Sequence, residues 1–337
     1  HYKKWNGHSD NKEGIGGSEG MVIQMARELS KKGCKVRVYC ETEGSTFDGV
    51  EYIPHNKWSA DNEVDVFIAS RSNGIEALKH LIKAKRIYLW LHDTQYGDVE
   101  PIRFYGCNRA LVLSEYHKSI IKSFHGLDDS ILHVTRNAYN ELAIPKESIE
   151  RDIDTMIWAS SYDRGLDFVL QNWEEIKRRL PEAKLKIFYG WDTFDALAKL
   201  RNDHNMNNFK EKMQELMEQE GIEHVGKVSQ KELYKEFAKA GIWFYPTLFQ
   251  EISCINAMTA QRLGCIPVVV PTGALQETVF SGIKASRNEI IDGLVYQFKN
   301  QDRFDRGKMQ KEAEKRFNIS DLADGWIKLF KSKELNK

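Results

Sequence analysis

Glu251 is the acidic residue whose surroundings say most about chemistry. It sits between two apolar runs, Ile242 to Tyr245 before it and Ile266 to Val270 after it, with a helical stretch from about Ile255 to Leu263 between them. An all-apolar run of this length reads as a strand of a parallel sheet covered on both faces. Ligands in such sheets bind beyond the carboxyl ends of the strands, so Glu251 falls in a ligand-facing loop. The backbone N–H groups of Ser253, Cys254 and Ile255 open the following helix, and a helix N-terminus favours an anion.

Three further places carry residue types suited to the same chemistry. The loop Gly14-Ile15-Gly16-Gly17-Ser18-Glu19 puts unhindered N–H groups at a helix start, where Gly16 and Gly17 allow close approach to a phosphate or a sugar. No Lys follows the glycines, so it is not a Walker loop, and a plain N-terminal loop is the alternative. Arg164, in Ser160-Ser161-Tyr162-Asp163-Arg164-Gly165, stands at a strand-to-helix junction. There a guanidinium can grip two phosphate oxygens and keeps its charge near neutral pH; the plain alternative is a helix-start arginine paired with Asp163 or Asp167. His92 closes the run IYLWLHD, where a neutral imidazole can accept from one partner and donate to another; the alternative is a structural histidine in a loop. Asp93 has no second acidic residue at ligand spacing and reads as a loop carboxylate.

The elements that must position these groups alternate between β and α. In the first half the expected series is a helix from Ser18 to Lys32 ended by Gly33, then strands at Val36–Cys40, Val64–Ser70, Ile87–Asp93 and Arg109–Ser114, with helices at Ile75–Ile82 and Glu115–Phe124. Residues 141–153 are polar, contain Pro145 and read as a linker. The second half starts again with a strand at Thr155–Ser160 and a helix at Asp167–Leu180. It continues with strands at Leu185–Gly190 and Ile222–Gly226, a helix at Lys210–Glu220, and a helix at Ser229–Ala240 opened by a Ser229/Glu232 capping box. A weaker strand is expected at Gly293–Phe298, followed by a helical stretch holding Phe317, Leu322, Trp326 and Phe330. The fold class is therefore α/β with two doubly wound domains facing a cleft.

Taken together, SSYDRGL, the Glu251 loop and GCIPVV resemble the retaining GT-B glycosyltransferases of the large family 4 type, the glycosyl transferases group 1. The likeness runs from Gly14 to Trp326. It implies two Rossmann-like domains, an acceptor-side one over residues 1–145 and a nucleotide-sugar donor domain over 146–310, with a helix at 311–337 expected to cross back to the first. It also implies a strand ahead of the Gly-rich loop, which is expected to be lost here. The implied activity is transfer of a sugar, a hexose in the commonest case, from a nucleotide-diphosphate sugar to an unidentified acceptor, with no cofactor and no metal. In the family two glutamates eight positions apart bracket the donor; here Glu251 keeps the first place and Thr259 stands in the second. By resemblance, Arg164 holds the donor β-phosphate beside Ser160 and Ser161, and His92 faces the donor sugar. Glu251 bonds a sugar hydroxyl, Gly226 and Val228 line the base pocket with Lys227 between them, and Thr259 reaches the ribose weakly or through water. The missing second carboxylate keeps open a catalytically silent nucleotide-sugar binding protein, and a GT-B nucleotide-sugar epimerase is the other alternative.

Composition narrows the partners. Lys plus Arg equals Asp plus Glu at 49 each, so no global field draws the 337-residue chain to nucleic acid, and the basic stretch His117–His125 reads as an ordinary surface helix ahead of a peripheral membrane contact. Five cysteines without a C-x-x-C pair fit a reduced, cytoplasmic setting, and no apolar run reaches the roughly 18 residues of a membrane span.

Overall fold

The computed structural model describes residues 4–9, 14–59, 61–71, 81–94, 106–201 and 203–332. Each half is a Rossmann-like α/β unit, and the loops at the carboxyl ends of the strands meet across a cleft. The expected helix at Ile75–Ile82 falls almost entirely outside the described residues.

The first half opens with helix α1 (Gly17–Lys31), which ends as Gly33 takes φ +89°. Strand β1 (Val36–Cys40) follows, then a hairpin of β2 (Ser45–Phe47) and β3 (Val50–Pro54). The hairpin is not among the expected elements, although Asp48-Gly49, both at positive φ, is a tight-turn signature. β1, β3 and β2 form one small sheet. A second, all-parallel sheet runs β4 (Val64–Ser70), β5 (Ala84–Trp90), β6 (Arg109–Val112), β7 (Leu132–Val134), with helix α2 (Glu115–His125) between its last two strands. Among the described residues no strand precedes the Gly-rich loop.

The second half is a single six-stranded parallel sheet. In chain order its strands are β8 (Asp152–Trp158), β9 (Lys184–Phe188), β10 (Ile222–Gly226), β11 (Ala240–Tyr245), β12 (Ile266–Val269) and β13 (Ile283–Lys284). In space they run β10-β9-β8-β11-β12-β13. The order reverses between β8 and β11, which creates the crevice where ligands of such sheets bind. β11 and β12 are buried at every position, as strands covered by helices on both faces must be.

The helices of this half are α3 (Leu166–Gln171), α4 (Trp173–Arg179), α5 (Asp192–Arg201), α6 (His204–Leu216), α7 (Gln230–Lys239), α8 (Ile255–Arg262), α9 (Leu275–Thr278), α10 (Ile290–Lys299), α11 (Arg306–Arg316) and α12 (Ile319–Lys331). The Ser229 cap of α7 is present, its hydroxyl accepting from the Glu232 N–H at 3.2 Å. The single helix expected at Asp167–Leu180 is two, broken at Asn172, whose side chain bonds back to the Phe168 carbonyl. The strand expected at Gly293–Phe298 is helix α10: Ile290, Leu294 and Val295 share a buried face at helical spacing, which outweighs the β-branched composition.

The last helix leaves the second half. Trp326 of α12 is buried against Trp90 of β5, ring centroids 4.7 Å apart, and its indole N–H donates to Thr135 Oγ1 at 2.9 Å. Tyr88 donates its hydroxyl to the Leu329 carbonyl, and Lys32 pairs with Asp324 at 2.8 Å. No helix among the described residues is long and apolar enough to cross a membrane.

Candidate functional site

The switch point of the six-stranded sheet holds a compact charged cluster. β11 ends at Tyr245, and the loop beyond it returns Glu251 to the strand end, where only 6% of the residue is exposed. The Tyr245 hydroxyl donates to Glu251 Oε1 at 2.7 Å, and Arg164 Nη1 reaches the same oxygen at 3.0 Å. With its own proton committed to Glu251, Tyr245 accepts from Ser160 Oγ at 3.1 Å. Burial and the neighbouring carboxylate both push the Tyr245 hydroxyl well above its usual range, so it stays a donor. Burial works against the Arg164 charge, but the Glu251 carboxylate turns the balance and holds the guanidinium above its ordinary value. The guanidinium also lies 4.1 Å over the Phe249 ring, which fixes its plane.

Around this pair lies a cleft of about 700 Å³ between the two halves. Ser160 and Ser161 line it from the end of β8, and Ser253, Cys254 and Ile255 line it where α8 begins. Gly16 and Gly17 face them from the first half, and Gly17 is so near α8 that a Cβ there would stand 3.3 Å from Ile255 Cδ1. Gly14 abuts the far end, where a Cβ would meet the Lys227 side chain at 2.6 Å and the Val228 carbonyl at 3.1 Å. His92 lines the cleft opposite Glu251, its ring 4.6 Å from Trp90; burial, then Arg71 and His117, push its pKa down to about 3, so it is neutral.

Two expected residues are elsewhere. Thr259 is buried inside α8 and does not line the cleft; its hydroxyl bonds the Tyr234 hydroxyl at 3.1 Å, and Tyr234 in turn accepts from the Asn140 N–H. The Thr259 hydroxyl, which the family likeness turns toward the ribose, is here engaged in a core hydrogen bond behind the cleft wall. Gly226 also lies off the cleft wall, its carbonyl accepting from Tyr189 N at 3.0 Å, whereas Lys227 and Val228 are on it.

The structure gives Asp93 a partner and adds two residues, Arg71 and Tyr189, that the sequence does not single out. Asp93, read as a loop carboxylate, accepts two bonds from Arg71 at 3.0 and 3.1 Å, and Arg71 also donates to Ser18 of the Gly-rich segment at 3.2 Å. Arg71 has φ +57° and Tyr189 φ +134°, conformations that non-glycine residues seldom adopt, and both line the cleft. The only sequence signal for either is its position just past the end of a strand.

Residues 149–335 match the family described as glycosyl transferases group 1. Among curated proteins none matches the chain in sequence. Of solved structures, it is similar to the sucrose-phosphate synthase of Thermosynechococcus elongatus (TM-score 0.75, 13% identity, over 96% of this chain and 95% of that one). A glycosyltransferase from Rickettsia africae ESF-5 gives 0.71 and 14%, over 96% of each. The pneumococcal O-GlcNAc transferase, solved with UDP and GlcNAc, gives 0.54 and 14%; the match takes in 78% of this chain but only 54% of that one's length. At such identities the likeness is one of fold.

Proposed function

The chain belongs to the glycosyl transferases group 1, and from that membership we propose that it is a retaining glycosyltransferase moving a hexose from a nucleoside-diphosphate sugar to an acceptor hydroxyl without a metal ion. The observation that carries this reading is the Arg164–Glu251 pair, which sits at the crevice of the donor-side sheet beside the N-terminus of α8. A diphosphate leaving group gains negative charge as the glycosidic C–O bond breaks. Arg164 and the N–H groups at Cys254 and Ile255 stabilise that charge. Glu251, fixed by Tyr245, accepts a hydroxyl of the transferred sugar, and neutral His92 meets the sugar from the other wall. The acceptor oxygen bonds the anomeric carbon on the face the diphosphate leaves, and its proton passes to the departing phosphate oxygen. No protein nucleophile is needed. A nucleotide donor fits the complex with UDP named for the pneumococcal neighbour. Metal independence fits a cleft wall that already carries the cations Arg164, Arg71 and Lys227 beside a helix N-terminus.

A second reading, a nucleotide-sugar binding protein without turnover, is favoured by Thr259, which leaves the second carboxylate of the family missing. Incubation with UDP-, GDP- and dTDP-sugars in the presence of EDTA, followed by mass spectrometry, separates the two. Donor consumption that falls by about two orders of magnitude or more in a folded Arg164→Ala variant is the expected result. Binding without consumption establishes the second reading, and consumption only after magnesium or manganese is restored removes metal independence.

A further inference from the structure

The first turn of α2 is capped by a residue from the other half of the molecule. The N–H groups of Glu115 and Tyr116 donate to the two oxygens of a single carboxylate, Glu277, at 2.9 and 2.7 Å. Ser114, the N-cap, accepts from His117 N at 2.9 Å and donates its hydroxyl to the Ile252 carbonyl at 2.7 Å. Tyr116 bonds the Gln250 side chain, and Asn137 Nδ2 reaches the Ser253 carbonyl at 3.4 Å. The first half therefore grips the loop on both sides of Glu251. Glu277 closes the circuit from behind. It lies on α9, and Ala274, just ahead of that helix, donates its N–H to the Glu251 carbonyl at 2.7 Å. Gly273, at φ +58°, is pressed so near that a Cβ would stand 3.0 Å from Glu251 N and 3.1 Å from the Tyr116 ring.

We propose that Glu277 is a positioning residue: its grip on the N-terminus of α2 favours the docked arrangement of the two halves and fixes Glu251 in its place against Arg164 and Tyr245. A carboxylate taking two N–H groups at the positive end of a helix makes a charge-assisted contact that exists only while the halves are docked. Opening the cleft breaks it, together with the Ser114, Tyr116 and Asn137 bonds, and frees the loop that carries Glu251. Docking and site assembly are thus one event, which keeps water from the donor until the site is complete. The conformational part stands on the hydrogen bonds alone; the kinetic part rests on the proposed transfer reaction.

The test places spin labels at Lys85→Cys and Glu211→Cys, one on each half, in a Cys34→Ser background, and measures their distance by double electron–electron resonance with and without UDP. Glu277→Gln keeps the size but offers one acceptor where two are needed. It should add a longer-distance population, raising the open-to-docked ratio by about tenfold, the equivalent of roughly 1.4 kcal/mol. Glu277→Asp and Ser114→Ala should move it the same way by less. Consumption of the nucleotide sugar that serves as donor should fall in kcat in proportion to the docked fraction in Glu277→Gln, with the melting temperature little changed. Distance distributions identical to wild type in all three variants overturn the proposal, as does a lowered melting temperature with unchanged distances, the mark of a simple helix cap. A wild-type protein that consumes no nucleotide sugar sinks the transfer reading and leaves the distance measurement to decide this one.

Discussion

Glu251 and Thr259 show how differently two positions on one loop-and-helix unit can be used. Glu251, in the loop, accepts from a tyrosine hydroxyl and an arginine, whereas Thr259, in the helix that follows, spends its hydroxyl on Tyr234 inside the core. That contrast fixes what a carboxylate at 259 would do. Thr259→Glu places a charge where the one bonded neighbour is a tyrosine hydroxyl already engaged with Asn140, and an unpaired buried charge costs about 3–5 kcal/mol. Urea denaturation should show that loss; unchanged stability with tighter UDP binding by calorimetry would restore the ribose contact the family likeness implies. Glu251, Arg164 and the Gly-rich loop were legible in the sequence because each lies next to a strand or helix end that periodicity locates. The Tyr234 partnership was not, since it joins side chains 25 positions apart with no spacing rule behind it. Arg71 and Tyr189 were missed for a related reason: a positive φ in a non-glycine residue leaves no mark in composition.

Among the elements, β11 and β12 were the most readable, because strands buried on both faces are apolar at every position. Helix α10 misled for the same reason in reverse: the short apolar run Leu294-Val295-Tyr296 looks like a strand until the buried positions, Ile290, Leu294 and Val295, are seen to recur at helical spacing. Helix α2 carries a property no pattern could show. His117 is fully buried, with Nδ1 accepting from Leu113 N at 3.1 Å, so its proton sits on Nε2 and is donated to the Asp93 carbonyl at 3.0 Å. Burial pushes its pKa from 6.5 down to about 4, although the carbonyl and charge of Asp93 pull the other way. The unfolded chain then binds a proton that the folded chain refuses. This contribution is present in full above pH 6.5, declines as pH falls, and levels off below about 4. Between pH 7 and pH 5 it amounts to roughly 2 kcal/mol. His92 adds to the same trend, so the wild type should lose stability over this interval by more than a His117→Gln variant; equal slopes in the two proteins would show that His117 is not the titrating group.

At the scale of the whole molecule, α12 ties the end of the described chain to the first half. Trp326 is buried against Trp90 and bonded to Thr135, 191 positions earlier. Trp326→Ala removes one of the two indoles in that contact and should cost about 3–5 kcal/mol. The damage should be local: amide exchange should quicken in α1 and β5 while β11 stays protected, and loss of protection in β11 instead would place the helix energetically with the second half. One consequence concerns synthesis. A chain emerging from the ribosome offers its amino-terminal residues first, and domains ordinarily finish in that order. Here the partner that covers Trp90 and Tyr88 is made after every strand of all three sheets, so the half translated first waits on residues 319–331, and the half translated second, complete in its own strands by residue 284, can close before it.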